Sequence, residues 1–116
     1  MKCEDIKISD GPIVMDGDEI EIYYRIALSK EDFAKGKYIE ETYNPDIPIT
    51  IVFSKQNLLP GIYDGIKGMR SAGSQRCFEI LPEKGFGKRG WNTIQENTTL
   101  FVEVCLARIK SRNIDE

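Results

Sequence analysis

Six residues at positions 85–90 read GFGKRG and match G-x-G-x-x-G, a glycine spacing typical of loops that hold phosphate groups. In a dinucleotide-binding fold these glycines lead directly into a helix whose N-terminus faces the pyrophosphate. Here the following residues, WNTIQENTTLFVEV, predict a loop and then a strand. A kinase-type glycine loop would need a lysine strand and a catalytic loop that 116 residues do not provide. We therefore expect no nucleotide site, and we expect Gly85, Gly87 and Gly90 to permit positive φ angles in a long excursion between strands.

Other residue types that perform chemistry are scarce. The sequence has no histidine, which excludes Ser-His-Asp and Cys-His nucleophiles, histidine general bases and histidine-containing zinc sites. Its three cysteines, Cys3, Cys77 and Cys105, have no C-x-x-C spacing and predict free thiols, with Cys77 and Cys105 packed in strands. We expect no metal and no cofactor.

Length and composition predict one folded domain spanning residues 1–116, with its core between about 13 and 110. The net charge of −3 argues against a general nucleic-acid binder. No apolar run approaches the roughly 20 residues of a membrane span, and no basic-then-apolar leader opens the chain. The sequence is interpreted as a cytoplasmic protein with no membrane partner.

Hydrophobic periodicity predicts mostly strands. Alternation over residues 18–28 places Ile20, Ile22, Tyr24 and Ile26 on one face of a half-buried antiparallel strand. A charged connection at 29–38 has room for one helical turn. Further strands are predicted at 3–11, 38–43, 47–53, 75–81 and 98–110.

One helix is predicted in NLLPGIYDGIKGM, residues 57–69. Pro60 suits a first helical turn, and Ile62, Ile66 and Met69 form one apolar stripe. Gly65 weakens this helix and Gly68 is placed to end it. The predicted fold class is α+β, with a curled antiparallel sheet of five to six strands wrapped over one short α-helix.

Three motifs in order, GIYDGIKGM, ILPEKGFGKRG and NTTLFVEVCLARI, resemble the FKBP-type peptidyl-prolyl isomerases. The segments GDEIEIYYRIAL and GKYIEET match two earlier strands of that family. The resemblance extends from about residue 17 to 109, with a few extra residues in ALSKEDFAKGK and one fewer in the glycine loop. It implies the same fold and an isomerase that acts on X-Pro bonds.

The resemblance also implies a site. The catalytic positions would be Tyr24, Glu40, Leu59 and Phe86. The amide of Leu59 matches the family's donor to a ligand carbonyl. Positions that bind the substrate would be Ile39, Ile49, Leu58, Ile62, Trp91, Ile94 and Val102. An apolar pocket that holds the prolyl ring and favours the twisted amide needs no nucleophile or metal.

Several positions depart from the family pattern. Ile39, Ile49, Ile62 and Val102 stand where aromatic residues are usual, and Phe86 lacks the hydroxyl of the usual tyrosine. A looser pocket with one donor fewer predicts weak activity. The same residues also fit ordinary core positions of a curled sheet. A second hypothesis is therefore a non-catalytic binding or chaperone module that holds a hydrophobic or proline-containing segment of a partner.

Two further positions leave alternatives open. Either Glu40 or Glu41 faces the pocket, where it could accept a hydrogen bond from Tyr24. Trp91 either packs against the domain or forms a rim contact for a partner.

Proline-containing segments are the expected partners. Macrolides are expected to bind weakly, and the chain is expected to be a monomer.

Overall fold

A computed structural model describes residues 3–43, 46–85, 87, 94, 95 and 97–112. Within this part of the chain six strands form one sheet: β1 Cys3–Lys7, β2 Glu19–Ala27, β3 Glu40–Glu41, β4 Ile49–Val52, β5 Ser74–Ile80 and β6 Leu100–Ser111. Two short helices accompany it, α1 Lys30–Ala34 and α2 Pro60–Ile66, with a 3-10 turn at Pro82–Lys84.

The sheet is antiparallel throughout. Its strand order is β1-β5-β6-β2-β3, and β4 pairs with β2 next to β3, so β2 is bonded along both of its edges. This architecture, a sheet with a short helix packed on it, confirms the predicted α+β class. No described helix has the length and apolar content to cross a bilayer.

Strand alternation gives the sheet two different faces. The inner face carries the core and includes Ile20, Ile22, Val102, Val104 and Leu106, all buried. Tyr24 and Ile26, which complete the predicted stripe of β2, are half-buried and pack against that core. The alternation in the sequence therefore identified the buried face of β2 correctly.

Helix α2 lies close to β5 because two of its residues lack side chains. A Cβ atom added to Gly61 would come within 2.4 Å of Ile80, and one added to Gly65 within 2.3 Å of the Phe78 ring. The sequence analysis treated Gly65 only as a weakness of the helix, whereas its absent side chain is what lets α2 approach the sheet. The helix ends at Ile66, and Gly68 follows with a φ of 88°.

Two expectations about loops need correction. The strand predicted at 38–43 contains only the two residues of β3, because Tyr38 and Tyr43 turn onto the Arg25 side chain. In the glycine string, Gly87 has the expected positive φ of 59°, but Gly85 has a φ of −118°. Gly90 lies outside the described residues.

The helical turn expected in the charged connection is α1, whose N-cap Ser29 accepts a hydrogen bond from the Asp32 amide at 3.0 Å.

Candidate functional site

The polar centre of the candidate site is a pair of side chains from neighbouring strands. Tyr24 on the inner face of β2 donates its hydroxyl proton to the carboxylate of Glu40 on β3. The structure thus decides between the two glutamates of this segment, since Glu40 is the partner of Tyr24. Burial and then the Glu40 carboxylate raise the pKa of Tyr24 well above its usual range. The phenol is therefore neutral at neutral pH.

An aliphatic surface borders the core on the same face of the sheet as Tyr24. Ile49 on β4, Leu58 before α2 and Ile62 on α2 are half-buried and pack against the buried cluster. Because each keeps part of its surface in water, these side chains could still bury the ring of a ligand.

Leu59 contributes its backbone at the N-cap of α2. Its carbonyl accepts a hydrogen bond from the Tyr63 amide at 3.0 Å, and no described residue accepts a hydrogen bond from its own amide. An amide at this end of a helix has no partner within the helix, which makes it a candidate donor.

The remaining predicted positions divide into buried, exposed and undescribed. Ile94 and Val102 are 6% and 1% exposed, so both are part of the core beneath any surface site. Ile39, which precedes Glu40, is 42% exposed and is not among the side chains packed against the core. Phe86 and Trp91 lie outside the described residues, so their assigned roles stay predictions.

A second cluster lies on the outer face of the sheet, and sequence reasoning missed it. The guanidinium of Arg25 donates to Glu103 on β6 at 2.8 Å, and Glu103 is only 6% exposed. The guanidinium carbon lies 4.6 Å from the ring centroid of Tyr43, 5.1 Å from that of Tyr38 and 6.0 Å from that of Phe33. The available signal was a charged residue flanked by apolar side chains in each strand, Arg25 in YYRIA and Glu103 in FVEVC.

Two thiols lie beside this cluster. Burial, followed by the Glu103 carboxylate, raises the pKa of Cys77 to about 11. Burial also raises the pKa of Cys105. Both side chains are neutral thiols at neutral pH, which fits packing rather than nucleophilic chemistry. No group of three or more cysteine, aspartate or glutamate side chains in the described ranges is arranged to hold a metal ion.

Comparison with known proteins shows the family to which the chain belongs. The family model described as FKBP-type peptidyl-prolyl cis-trans isomerase matches residues 11–107, which is most of the chain. This chain belongs to that family. The family resemblance read from the ordered motifs is therefore confirmed.

Individual relatives agree with this assignment. The chain is 31% identical over 99 residues to "Peptidyl-prolyl cis-trans isomerase FKBP17-1, chloroplastic" of Arabidopsis thaliana, covering 83% of this chain and 41% of that protein. It is 32% identical over 93 residues to "FK506-binding protein 2A" of Rhizopus delemar, covering 79% of this chain and 53% of that protein. The chain thus spans about half the length, or less, of these two relatives.

Two solved structures share the fold of this FKBP-type chain. The crystal structure of FkpA from Escherichia coli superimposes with a TM-score of 0.78 at 24% identity, covering 93% of this chain and 47% of that one. The crystal structure of AtFKBP13 gives a TM-score of 0.78 at 22% identity, covering 92% of this chain and 90% of that one. The fold is thus retained at low sequence identity.

Proposed function

We propose that this protein is a peptidyl-prolyl cis-trans isomerase of low turnover that acts on X-Pro bonds in exposed peptide segments. The observation that carries the proposal is the hydrogen bond from Tyr24 to Glu40 on the face of the sheet that presents half-buried aliphatic side chains. Family membership supports the reaction type. The neutral thiols and the absence of histidine fit a reaction that uses no nucleophile.

The chemistry required is a rotation about one bond. Resonance makes the peptide C–N bond partly double and gives a rotation barrier of about 18–20 kcal/mol. The planar amide is the more polar, charge-separated form, so moving it from water to an apolar surface disfavours it relative to the twisted form. Ile49, Leu58 and Ile62 would supply that surface, and the barrier falls only by the difference between the two states.

Polar groups would hold the substrate in place. The Leu59 amide is positioned to donate to a carbonyl of the bound peptide, as an N-terminal helix amide can. Tyr24 presents a ring whose orientation is fixed by the bond to Glu40. Tyr24 itself adds no charge to this surface, because a phenol is neutral at neutral pH and burial raises its pKa further.

Low turnover follows from the residue types. Ile49 and Ile62 are aliphatic, so neither gives the prolyl ring a flat aromatic wall. One hydrogen bond fewer to the bound amide, as Phe86 implies, costs about 1 kcal/mol, or roughly a fivefold loss of rate.

Two-dimensional NMR exchange spectroscopy on a short X-Pro peptide tests the proposal directly. Catalytic concentrations of the protein should broaden or exchange the cis and trans resonances. Ile62→Ala should lower kcat/KM about three- to tenfold because it removes apolar contact, and Ile62→Trp should raise kcat/KM. Ile8→Ala is the matched control, since Ile8 is 68% exposed at the N-terminal end of the chain. Turnover that is absent at high protein concentration, or equal in all four proteins, would contradict the proposal.

A ¹H–¹⁵N correlation spectrum of the labelled protein, recorded with the same peptide, tests the alternative that the chain is a binding module. Chemical-shift changes at Leu59 and Ile62 on addition of the peptide, with no cis–trans exchange, would show that the protein only binds proline-containing segments and does not isomerise them.

We also propose weak macrolide binding at this surface, because a loose aliphatic wall buries less of a large ligand. Isothermal titration calorimetry of the wild type against Ile62→Trp would measure it.

A further inference from the structure

The segment that carries Glu40 has little backbone support of its own. Strand β3 has two residues and pairs only with Arg25 and Ile26 at the edge of the sheet. Two flanking backbone hydrogen bonds support it. The Ile39 amide donates to the Ile26 carbonyl and the Thr42 amide donates to the Tyr24 carbonyl, each at 2.8 Å. Such a short edge pairing is marginal by itself, so side chains contribute to its position. One is Thr42, whose hydroxyl accepts a hydrogen bond from the Tyr24 amide at 3.0 Å.

Side chains at both ends of this segment pack on one cation. Tyr38 precedes β3 and Tyr43 follows it, and their ring centroids lie 5.1 and 4.6 Å from the Arg25 guanidinium carbon. A guanidinium at this range from aromatic rings is attracted to their faces and also stacks on them, which lysine cannot reproduce.

A buried carboxylate fixes the cation itself. Arg25 donates to Glu103 through Nε at 3.2 Å and a terminal nitrogen at 2.8 Å, and Glu103 is 6% exposed on β6 in the middle of the sheet. The Tyr43 hydroxyl is buried near Glu103, and burial followed by the Glu103 carboxylate raises the pKa of Tyr43. The Tyr43 ring itself packs on Arg25 and on Tyr23.

We propose that Arg25 is a positioning residue for the site, because it anchors residues 38–43 from the outer face so that Glu40 meets Tyr24 on the inner face. Tyr24 and Arg25 are consecutive on β2 and point to opposite faces. The anchor and the functional hydrogen bond therefore share one short segment. This inference rests on the proposed isomerase function for its effect on turnover, but the positioning itself is measurable without turnover.

The decisive comparison uses two arginines of the same sheet. Arg25→Leu removes the anchor. Arg108→Leu is the matched control, because Arg108 also pairs with a carboxylate across β2 and β6, donating to Glu21 at 2.9 Å, and it is far along the strands from residues 38–43. Arg25→Lys keeps the charge beside Glu103 but loses the planar group, and it provides a milder variant if Arg25→Leu does not fold.

Two readouts separate positioning from general damage. With ¹³C-labelled tyrosine, Arg25→Leu and Arg25→Lys should shift the Tyr24 ring resonance towards that of a variant without the Glu40 carboxylate, Glu40→Leu, whereas Arg108→Leu should leave it unchanged. In turnover, Arg25→Leu should lower kcat/KM about three- to tenfold, but should cause no further loss when Tyr24→Phe has already removed the hydroxyl.

Each result decides one question. An unchanged Tyr24 resonance in both Arg25 variants overturns the positioning role, and so does an equal loss of kcat/KM with and without the Tyr24 hydroxyl. A wild-type protein without turnover removes the isomerase proposal alone, since the Tyr24 resonance still reports whether Arg25 holds Glu40 in place.

Discussion

The two faces of the sheet differ in the contacts that they make with Tyr24 and Arg25, two consecutive residues of β2. On the inner face, the Tyr24 side chain packs against the apolar core and its hydroxyl donates to Glu40. On the outer face, Arg25 pairs with a buried carboxylate and packs on three aromatic rings. The inner face keeps half-buried aliphatic surface, which the proposed function uses for a ligand, whereas on the outer face Arg25 and Glu103 satisfy each other.

This difference is consistent with a small sheet that carries the proposed apolar site and keeps an ordered edge strand. Apolar contact is not directional, so the half-buried inner surface cannot by itself fix the position of a two-residue edge strand. The ion pair is directional, three aromatic rings pack around its cation, and these contacts lie on the side away from the proposed site. Under the proposed function, the order of the edge strand and the recognition of a substrate therefore depend on opposite faces of the sheet.

The largest expected effect belongs to the inner face. Leu106→Ala should lower the free energy of unfolding by about 2–5 kcal/mol, because it empties a fully buried core position on β6. Lys110→Ala, an exposed change on the same strand, should stay within about 0.5 kcal/mol. Urea denaturation followed by circular dichroism measures both. Equal midpoints for the two variants would show that the inner face is not the main source of stability.

A smaller loss is expected on the outer face. Glu103→Leu should lower the free energy of unfolding by about 1–3 kcal/mol, less than for a fully buried pair because the Arg25 side chain is 30% exposed. The double variant Arg25→Leu with Glu103→Leu should recover most of that loss, since neither charge is then left without its partner. Losses that simply add in the double variant would mean that the ion pair contributes no coupling on this face.

The last prediction involves no substitution and no change in stability, and it concerns the reactivity of the thiols. With a pKa of about 11, only about one Cys77 side chain in a thousand is a thiolate at pH 8, and the fraction rises only as the pH approaches that value. Iodoacetamide should therefore modify the exposed Cys3 and spare Cys77 in the folded protein, as peptide mapping by mass spectrometry would show. In urea both should react. Modification of Cys77 as fast as Cys3 at pH 8 without denaturant would mean that the outer cluster opens freely.

Much of the architecture was predictable because it depends on local periodicity. Alternation identified β2 and its buried face, and the stripe of Ile62, Ile66 and Met69 located α2. The strand predicted at 38–43 was too long, because strand propensity carries no information about the packing of Tyr38 and Tyr43 on Arg25. The site residues taken from the family resemblance were brought together only in part, with Ile39 exposed and Val102 in the core.

The amino-acid sequence by itself determined which residues alternate, where the short helix forms and to which family the chain belongs. Side-chain direction along a strand is set by covalent geometry, and this information is fully local. Only the tertiary structure decided that Glu40 is the partner of Tyr24, and that Arg25 meets Glu103 from 78 positions away. Those contacts depend on which strands become neighbours in the sheet, and strand order is a property of the whole chain.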